Sequence, residues 1–159
     1  LRVIVYHGSY LAVSKPDTAH SRKSVDFGQG FYVTPIYEQA KKWAEKYKLR
    51  GKSAVISSYQ MDEEVLKKEK ALIFDTYSEE WLDFVSRCRS EKDTSDYEIV
   101  VGGVANDKVF NTLELYFDGL IGKSEAIGRL RFEKPNSQIC FRTQAVIDNY
   151  LRFEGSETL

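Results

Sequence analysis

The spacing of apolar residues switches repeatedly between two periods from one end of the chain to the other, and the switches mark its elements. Residues 2–6 read Arg2-Val3-Ile4-Val5-Tyr6, with apolar or aromatic groups on both faces, and predict a central strand that ends at His7. Phe31, Tyr32 and Val33 predict a short aromatic strand delivered by the turn-forming Gly28 and Gly30. Residues 35–49 then carry Ile36, Ala40, Trp43, Ala44 and Tyr47 on one helical face. Thr34 is the expected N-cap of that helix, Pro35 fits its first position and Gly51 its end.

Further along, residues 53–59 predict a strand, 62–68 a charged helical turn and 71–74 another strand. Ser78 caps a second helix whose buried face holds Trp81, Leu82, Val85 and Cys88. A strand at 97–101 is turned by Gly102-Gly103 toward a third helix at 107–117, striped by Val109, Phe110, Leu113, Tyr116 and Phe117. A short helix is expected at 124–130, a strand at 138–141, another short helix at 144–148 and a last strand at 150–153. Helices and strands mix without strict βαβ alternation and without an internal repeat, so the expected fold class is α+β in one domain over residues 1–159.

A chain of 159 residues buries roughly two-thirds of the surface its unfolded form exposes, so a stable core needs no second domain. The formal net charge of −1 builds no broad positive field, and nucleic-acid binding by phosphate neutralisation is not indicated, although a local patch would suffice for some contacts. Cys88 and Cys140, each among apolar residues, are too few for a disulfide framework and point to a reduced, cytoplasmic setting. No apolar run reaches the roughly 18 residues that span a bilayer, so no membrane partner is expected.

Candidate chemistry lies in short polar and aromatic stretches. His7-Gly8-Ser9 follows the first strand, and Asp26-Phe27-Gly28-Gln29-Gly30-Phe31-Tyr32-Val33-Thr34 reads as loop, strand and helix start, with Tyr32 placed to offer a ring to a flat ligand. Between them, residues 8–25 form a polar loop of the length used for binding segments and mobile lids. Its basic tip, Lys15, His20, Arg22 and Lys23, either meets an anionic group or is simply solvated. Asp26 either bonds its own turn or approaches a ligand. Alternation in the strand at 138–141 puts Gln138, Cys140 and Arg142 on one face and Ile139 and Phe141 on the other. A Cys/His nucleophile is disfavoured by the apolar setting of both thiols, and His7 and His20 alone give no metal-ligand spacing.

The strand ending in His7-Gly8-Ser9, the Asp26-Phe27-Gly28-Gln29-Gly30-Phe31-Tyr32 segment and the late strand Ser137-Gln138-Ile139-Cys140-Phe141 together resemble the ADP-ribosyltransferase superfamily. The likeness is nearest to small bacterial members of its His-Tyr class and covers most of the chain. The resemblance implies a mixed β-sheet core split around an NAD cleft, with flanking helices. It implies that His7 bonds a ribose hydroxyl, that the Gly8 backbone pairs with the nicotinamide carboxamide assisted by Ser9, and that Tyr32 stacks on the nicotinamide ring. Gly28, Gly30 and Phe31 would complete the ring clamp, and the basic tip would face the pyrophosphate. Gln138 stands where many relatives carry glutamate; it can bond the ribose 2′-hydroxyl but cannot act as general base. The implied activity is therefore mono-ADP-ribosyl transfer from NAD to an unknown acceptor, which Asn136 would approach, in a bacterial toxin or effector whose partner is a small antitoxin protein. The rival expectation is a catalytically inactive domain of the same fold that binds a nucleotide or a protein.

Overall fold

The first strand, β1 (Arg2–Ser9), buries Val5 on one face and Gly8 on the other, while Ile4 near its start stays exposed. The computed structural model describes residues 1–68, 70–131 and 136–159. After β1 come β2 (Phe31–Val33), α1 (Tyr37–Lys48), β3 (Val55–Asp62), a 3₁₀ turn (Glu63–Lys67), β4 (Ala71–Ile73) and α2 (Glu79–Arg89). The chain continues through β5 (Ile99–Gly103), α3 (Asp107–Phe117), α4 (Lys123–Leu130), β6 (Ser137–Phe141), α5 (Gln144–Tyr150) and β7 (Leu151–Thr158). The fold class is α+β. One sheet has the order β1-β3-β7 and the other β2-β6-β5-β4, antiparallel throughout except for the parallel β4–β5 pair.

The two sheets pack face to face. Val5, Tyr59 and Met61 from the first meet Phe31, Val33, Ile99, Ile139 and Phe141 from the second, with Val146 and Ile147 of α5 closing the seam. The outer face of the second sheet lies against α2, α3 and α4 through Val100, Cys140, Trp81, Leu82, Phe84, Val109, Leu113 and Leu130. On the outer face of the first sheet, Ile56 packs against Ala40 and Ala44 of α1. The sheets also touch edge to edge at one point, where Tyr6 and Thr34 exchange backbone hydrogen bonds of 2.8 and 2.9 Å. Past that bridge β1 and β2 part.

Several expectations are corrected. β1 is not central: within its sheet it is an end strand, and it runs through His7, Gly8 and Ser9 rather than stopping before them. Helix α1 starts at Tyr37 with Ile36 as its N-cap: the Thr34 hydroxyl, donating to the Ser137 carbonyl at 2.7 Å, accepts the Ile36 N–H at 3.1 Å, ahead of the helix, and bonds no N–H within it. Gly102 and Gly103 are strand residues, not a turn. A Cβ on Gly102 would sit 2.9 Å from the Phe27 ring and one on Gly103 would sit 2.4 Å from the Tyr77 ring, so the rings require glycine there. The long loop is strapped down rather than lid-like: Val13 N–H donates to Ser57 Oγ at 3.0 Å, Tyr59 Oη donates to the Val13 carbonyl at 2.6 Å, and Gln144 Nε2 donates to the Pro16 carbonyl at 3.1 Å. The caps at Ser78, Asn106 and Thr143 each accept an N–H three residues on.

Candidate functional site

The site is built where β1 and β2 diverge. Tyr6 turns its backbone N–H and C=O toward β2, so alternation along an antiparallel strand turns those of His7 toward β3 and those of Gly8 to the side away from β3, beyond the bridge. Gly8 thus presents a donor and an acceptor, one residue wide, and among the described residues no strand receives them. Its missing Cβ has a second consequence: a methyl there would lie 2.2 Å from the Ala40 carbonyl oxygen, so only glycine lets α1 press this close. The same contact brings the half-buried Trp43 alongside Gly8. Ser9, buried, ends the strand next to it.

His7 Nδ1 lies 2.7 Å from the backbone carbonyl of Tyr32 and its ring stacks on Phe31 at 4.4 Å. A carbonyl only accepts, so Nδ1 carries the proton and Nε2 of the neutral ring remains an acceptor. Burial lowers the His7 pKa, partly offset by the bond to Tyr32, and keeps the ring neutral. A base whose folded-state pKa lies below its unfolded value of 6.5 contributes stability that is complete above 6.5 and is lost as pH falls through the folded value. Urea melts between about pH 7.5 and 5 should therefore show a decline that His7→Gln flattens; identical slopes in both proteins would refute this.

Tyr32 is half-buried, with its hydroxyl locked into the preceding loop: it donates to the Gly28 carbonyl at 2.6 Å and accepts the Phe27 N–H at 3.0 Å. Burial, with Cys140 nearby, raises its pKa well above the usual phenol range, so the ring and not a phenolate is what it offers. Gly28 takes φ +80°, the left-handed conformation that shapes this loop. Gly30 admits β6, since a Cβ would meet Cys140 Sγ at 2.5 Å. Phe31 is buried between the sheets, where its ring supports that of His7.

Gln138 is buried on the same face of the second sheet as Tyr32, in the row Tyr6, Thr34, Gln138 across three strands. Its Nε2 donates to Asp26 Oδ2 at 3.3 Å and to the Gly103 carbonyl at 3.2 Å. Asp26 neither closes its own turn nor stands free, because Arg89 Nε and Nη2 both donate to its Oδ1. His7 and Tyr32 are thus in direct contact, and Gln138 joins them through the loop that Tyr32 pins. Lys15, His20, Arg22 and Lys23 of the basic tip are all exposed and His20 pairs with Asp17 at 2.8 Å, while Ser21 among them accepts the Gly30 N–H at 3.2 Å and so ties the tip to the loop before β2. Asn136 stands just before β6, its carbonyl accepting the Val104 N–H at 2.8 Å.

The pairing of Asp26 with Arg89 and the place of Trp43 beside Gly8 escape the sequence. The small residues Ala40 and Ala44, one turn apart, are the available signal for Trp43, since they mark where α1 approaches another backbone. Cys88 and Cys140 are both buried, and burial pushes their thiols up to about 12, which works against a thiolate at neutral pH. Among the described residues no group of three His, Cys, Asp or Glu is placed to hold a metal ion, and no helix is long and apolar enough to cross a membrane. Surface cavities of about 90 Å³, beside Arg2 and Arg152, and about 270 Å³, beside Lys68 and Tyr150, lie away from His7, Tyr32 and Gln138.

No curated protein and no solved structure gives a match to the chain. The family described as "Protein of unknown function (DUF3990)" matches residues 3–153, a span that includes every residue of the site just described, and the chain belongs to that family.

Proposed function

We propose that this protein is an NAD-dependent mono-ADP-ribosyltransferase with an ADP-ribosyltransferase-like fold, its cleft opening where β1 and β2 part. The observation that carries the reading is the peptide edge of Gly8, an adjacent donor and acceptor turned away from β3 that match a primary carboxamide, next to His7, whose ring meets the Tyr32 carbonyl. Nicotinamide is a flat ring bearing that group. Tyr32 supplies a stacking face, and the neutral His7 supplies Nε2 to a ribose hydroxyl.

Transfer breaks the bond between the nicotinamide nitrogen and the ribose anomeric carbon through an oxocarbenium-like transition state. The electron pair leaves with nicotinamide, and the acceptor's nucleophile attacks the carbon and loses a proton. Holding the ring and ribose in one orientation lowers that barrier without covalent participation by the protein. Gln138 places no negative charge beside the cation, which favours an acceptor that is already nucleophilic and a single transfer over polymer growth. A bacterial toxin or effector restrained by a small antitoxin protein fits such an activity, and expression of the unaccompanied protein should then arrest growth.

The test is labelled NAD with cell extract, followed by mass spectrometry for ADP-ribose adducts. Tyr32→Ala is expected to abolish the adducts and to weaken NAD binding about tenfold by calorimetry, whereas Tyr32→Phe, which keeps the ring, should bind within about threefold of the parent. Adducts that persist in Tyr32→Ala would overturn the assignment. The uncharged Gln138 favours one second reading, a domain that binds NAD without turnover; saturable binding with no nicotinamide release would select it.

A further inference from the structure

We propose that Asp26, held by Arg89, is a positioning residue that sets the Gln138 amide so that its carbonyl oxygen alone is offered to a ligand hydroxyl. The inference rests on the NAD reading of the cleft and adds to it how a glutamine serves there. An amide side chain has two near-isosteric orientations, one presenting an acceptor and the other a donor. Here the choice is made by the surroundings. Asp26 Oδ2 and the Gly103 carbonyl can only accept, they lie 3.3 and 3.2 Å from the same Gln138 atom, and that atom must therefore be the NH₂ group. Both of its protons are used, and Oε1 takes no hydrogen bond among the described residues.

Arg89 makes the arrangement rigid. Its Nε donates to Asp26 Oδ1 at 2.9 Å with Nη2 beside it, and the two side chains are only 24% and 13% exposed. That fork fixes which carboxylate oxygen is left for Gln138. The bond from an amide N–H to a carboxylate is charge-assisted, and it polarises the amide so that Oε1 becomes a better acceptor. The site thereby recovers the hydrogen-bonding sense of a carboxylate toward a ribose hydroxyl, with the charge one bond further back and already paired.

Asp26→Asn tests this. Arg89 would claim the carbonyl oxygen of the substituted side chain, leaving the new NH₂ against the Gln138 NH₂; turning the Gln138 amide over relieves that conflict but sets Oε1 against the Gly103 carbonyl. Either orientation keeps one bad contact, and the unique setting is lost. Two readouts are needed. First, the Gln138 side-chain NH₂, followed by nuclear magnetic resonance without ligand, should exchange with solvent far more slowly in the parent than that of the exposed Asn149, and should lose most of that protection in Asp26→Asn. Second, the parent should bind NAD about tenfold more tightly than NAD lacking the 2′-hydroxyl of the nicotinamide ribose, and Asp26→Asn should bind the two about equally. A merely structural role for Asp26 would weaken both ligands alike. An unprotected Gln138 amide in the parent, or a hydroxyl discrimination unchanged in Asp26→Asn, overturns the inference. A parent that binds no NAD while its Gln138 amide is protected overturns the NAD reading and the ligand assigned to Oε1, leaving the locked amide itself established.

Discussion

Arg142→Ala is expected to lower the unfolding free energy by about 3 kcal/mol at neutral pH, because it strands a buried carboxylate. Arg142 Nη2 donates to Asp93 Oδ2 at 2.7 Å and Nη1 donates to Ser95 Oγ at 3.2 Å, with the two charged side chains 14% and 6% exposed. Removing one partner of such a pair costs more than the pair itself contributes, since the remaining charge keeps its desolvation penalty. The figure belongs at the low end of the range for buried pairs because Arg87 Nε stays 3.8 Å from Asp93. Burial alone would raise the Asp93 pKa, but the bonds from Ser95 and Arg142 together hold it below its usual 3.8. In the parent that depression contributes stability present above about 3.8 and lost as pH falls through the folded value. In Arg142→Ala the guanidinium is gone, burial prevails, and protonation of Asp93 relieves the variant. The gap between the two proteins should therefore narrow between about pH 7 and pH 4. Urea melts at the two pH values measure it, and a gap that stays constant would place the lost stability elsewhere, in the packing of Arg142 over the Phe84 ring.

What could be read from the sequence divides by range. Helix α2 was legible because its cap at Ser78 and its apolar face are local: four residues decide the start and the 3.6-residue period decides the buried side. The start of α1 was not, since Thr34 has the chemistry of a cap but its hydroxyl, anchored on a carbonyl 103 positions away, accepts the Ile36 N–H ahead of the helix. Gly102-Gly103 reads as a turn on composition, yet what fixes glycine there is a pair of rings, Phe27 and Tyr77, brought in by other elements. Residues 8–25 look like a lid until Ser57, Tyr59 and Gln144 are seen to hold Val13 and Pro16.

The candidate site divides the same way. His7, Gly8 and Tyr32 were legible because each lies in a short stretch whose residue types suit one chemistry, and the structure brings all three to the parting of β1 and β2. The setting of Gln138 was not. It depends on Asp26, 112 positions away, and on Arg89, 63 positions from Asp26, and nothing in a chain with many charges of both signs marks those two as partners. A solvated acid and a solvated base read identically to a buried pair until the fold removes the water.

Gly8→Ala is the substitution in which fold and function fail together. The added methyl would stand 2.2 Å from the Ala40 carbonyl oxygen and 2.8 Å from the Ala44 nitrogen, both backbone atoms of α1 that cannot swing aside. The helix must retreat from β1, which is expected to cost about 3 kcal/mol, the upper end for over-packing a filled site. Shortening Ala40 to glycine in the same protein should not rescue it, because the obstacle is the carbonyl and not the side chain. The identical change at Gly128, inside α4 with no atom within 4 Å of the added Cβ, should instead stabilise by about 0.5–1 kcal/mol. Retreat of α1 displaces the Gly8 peptide edge that it presses on, so under the proposed function NAD affinity falls by more than about tenfold in Gly8→Ala and is untouched in Gly128→Ala. Thermal melts and calorimetry on the two variants separate the contributions. A Gly8→Ala protein that melts with the parent would show that α1 does not bear on β1 at this point, and one that melts low but binds NAD normally would show that the ligand does not use this edge.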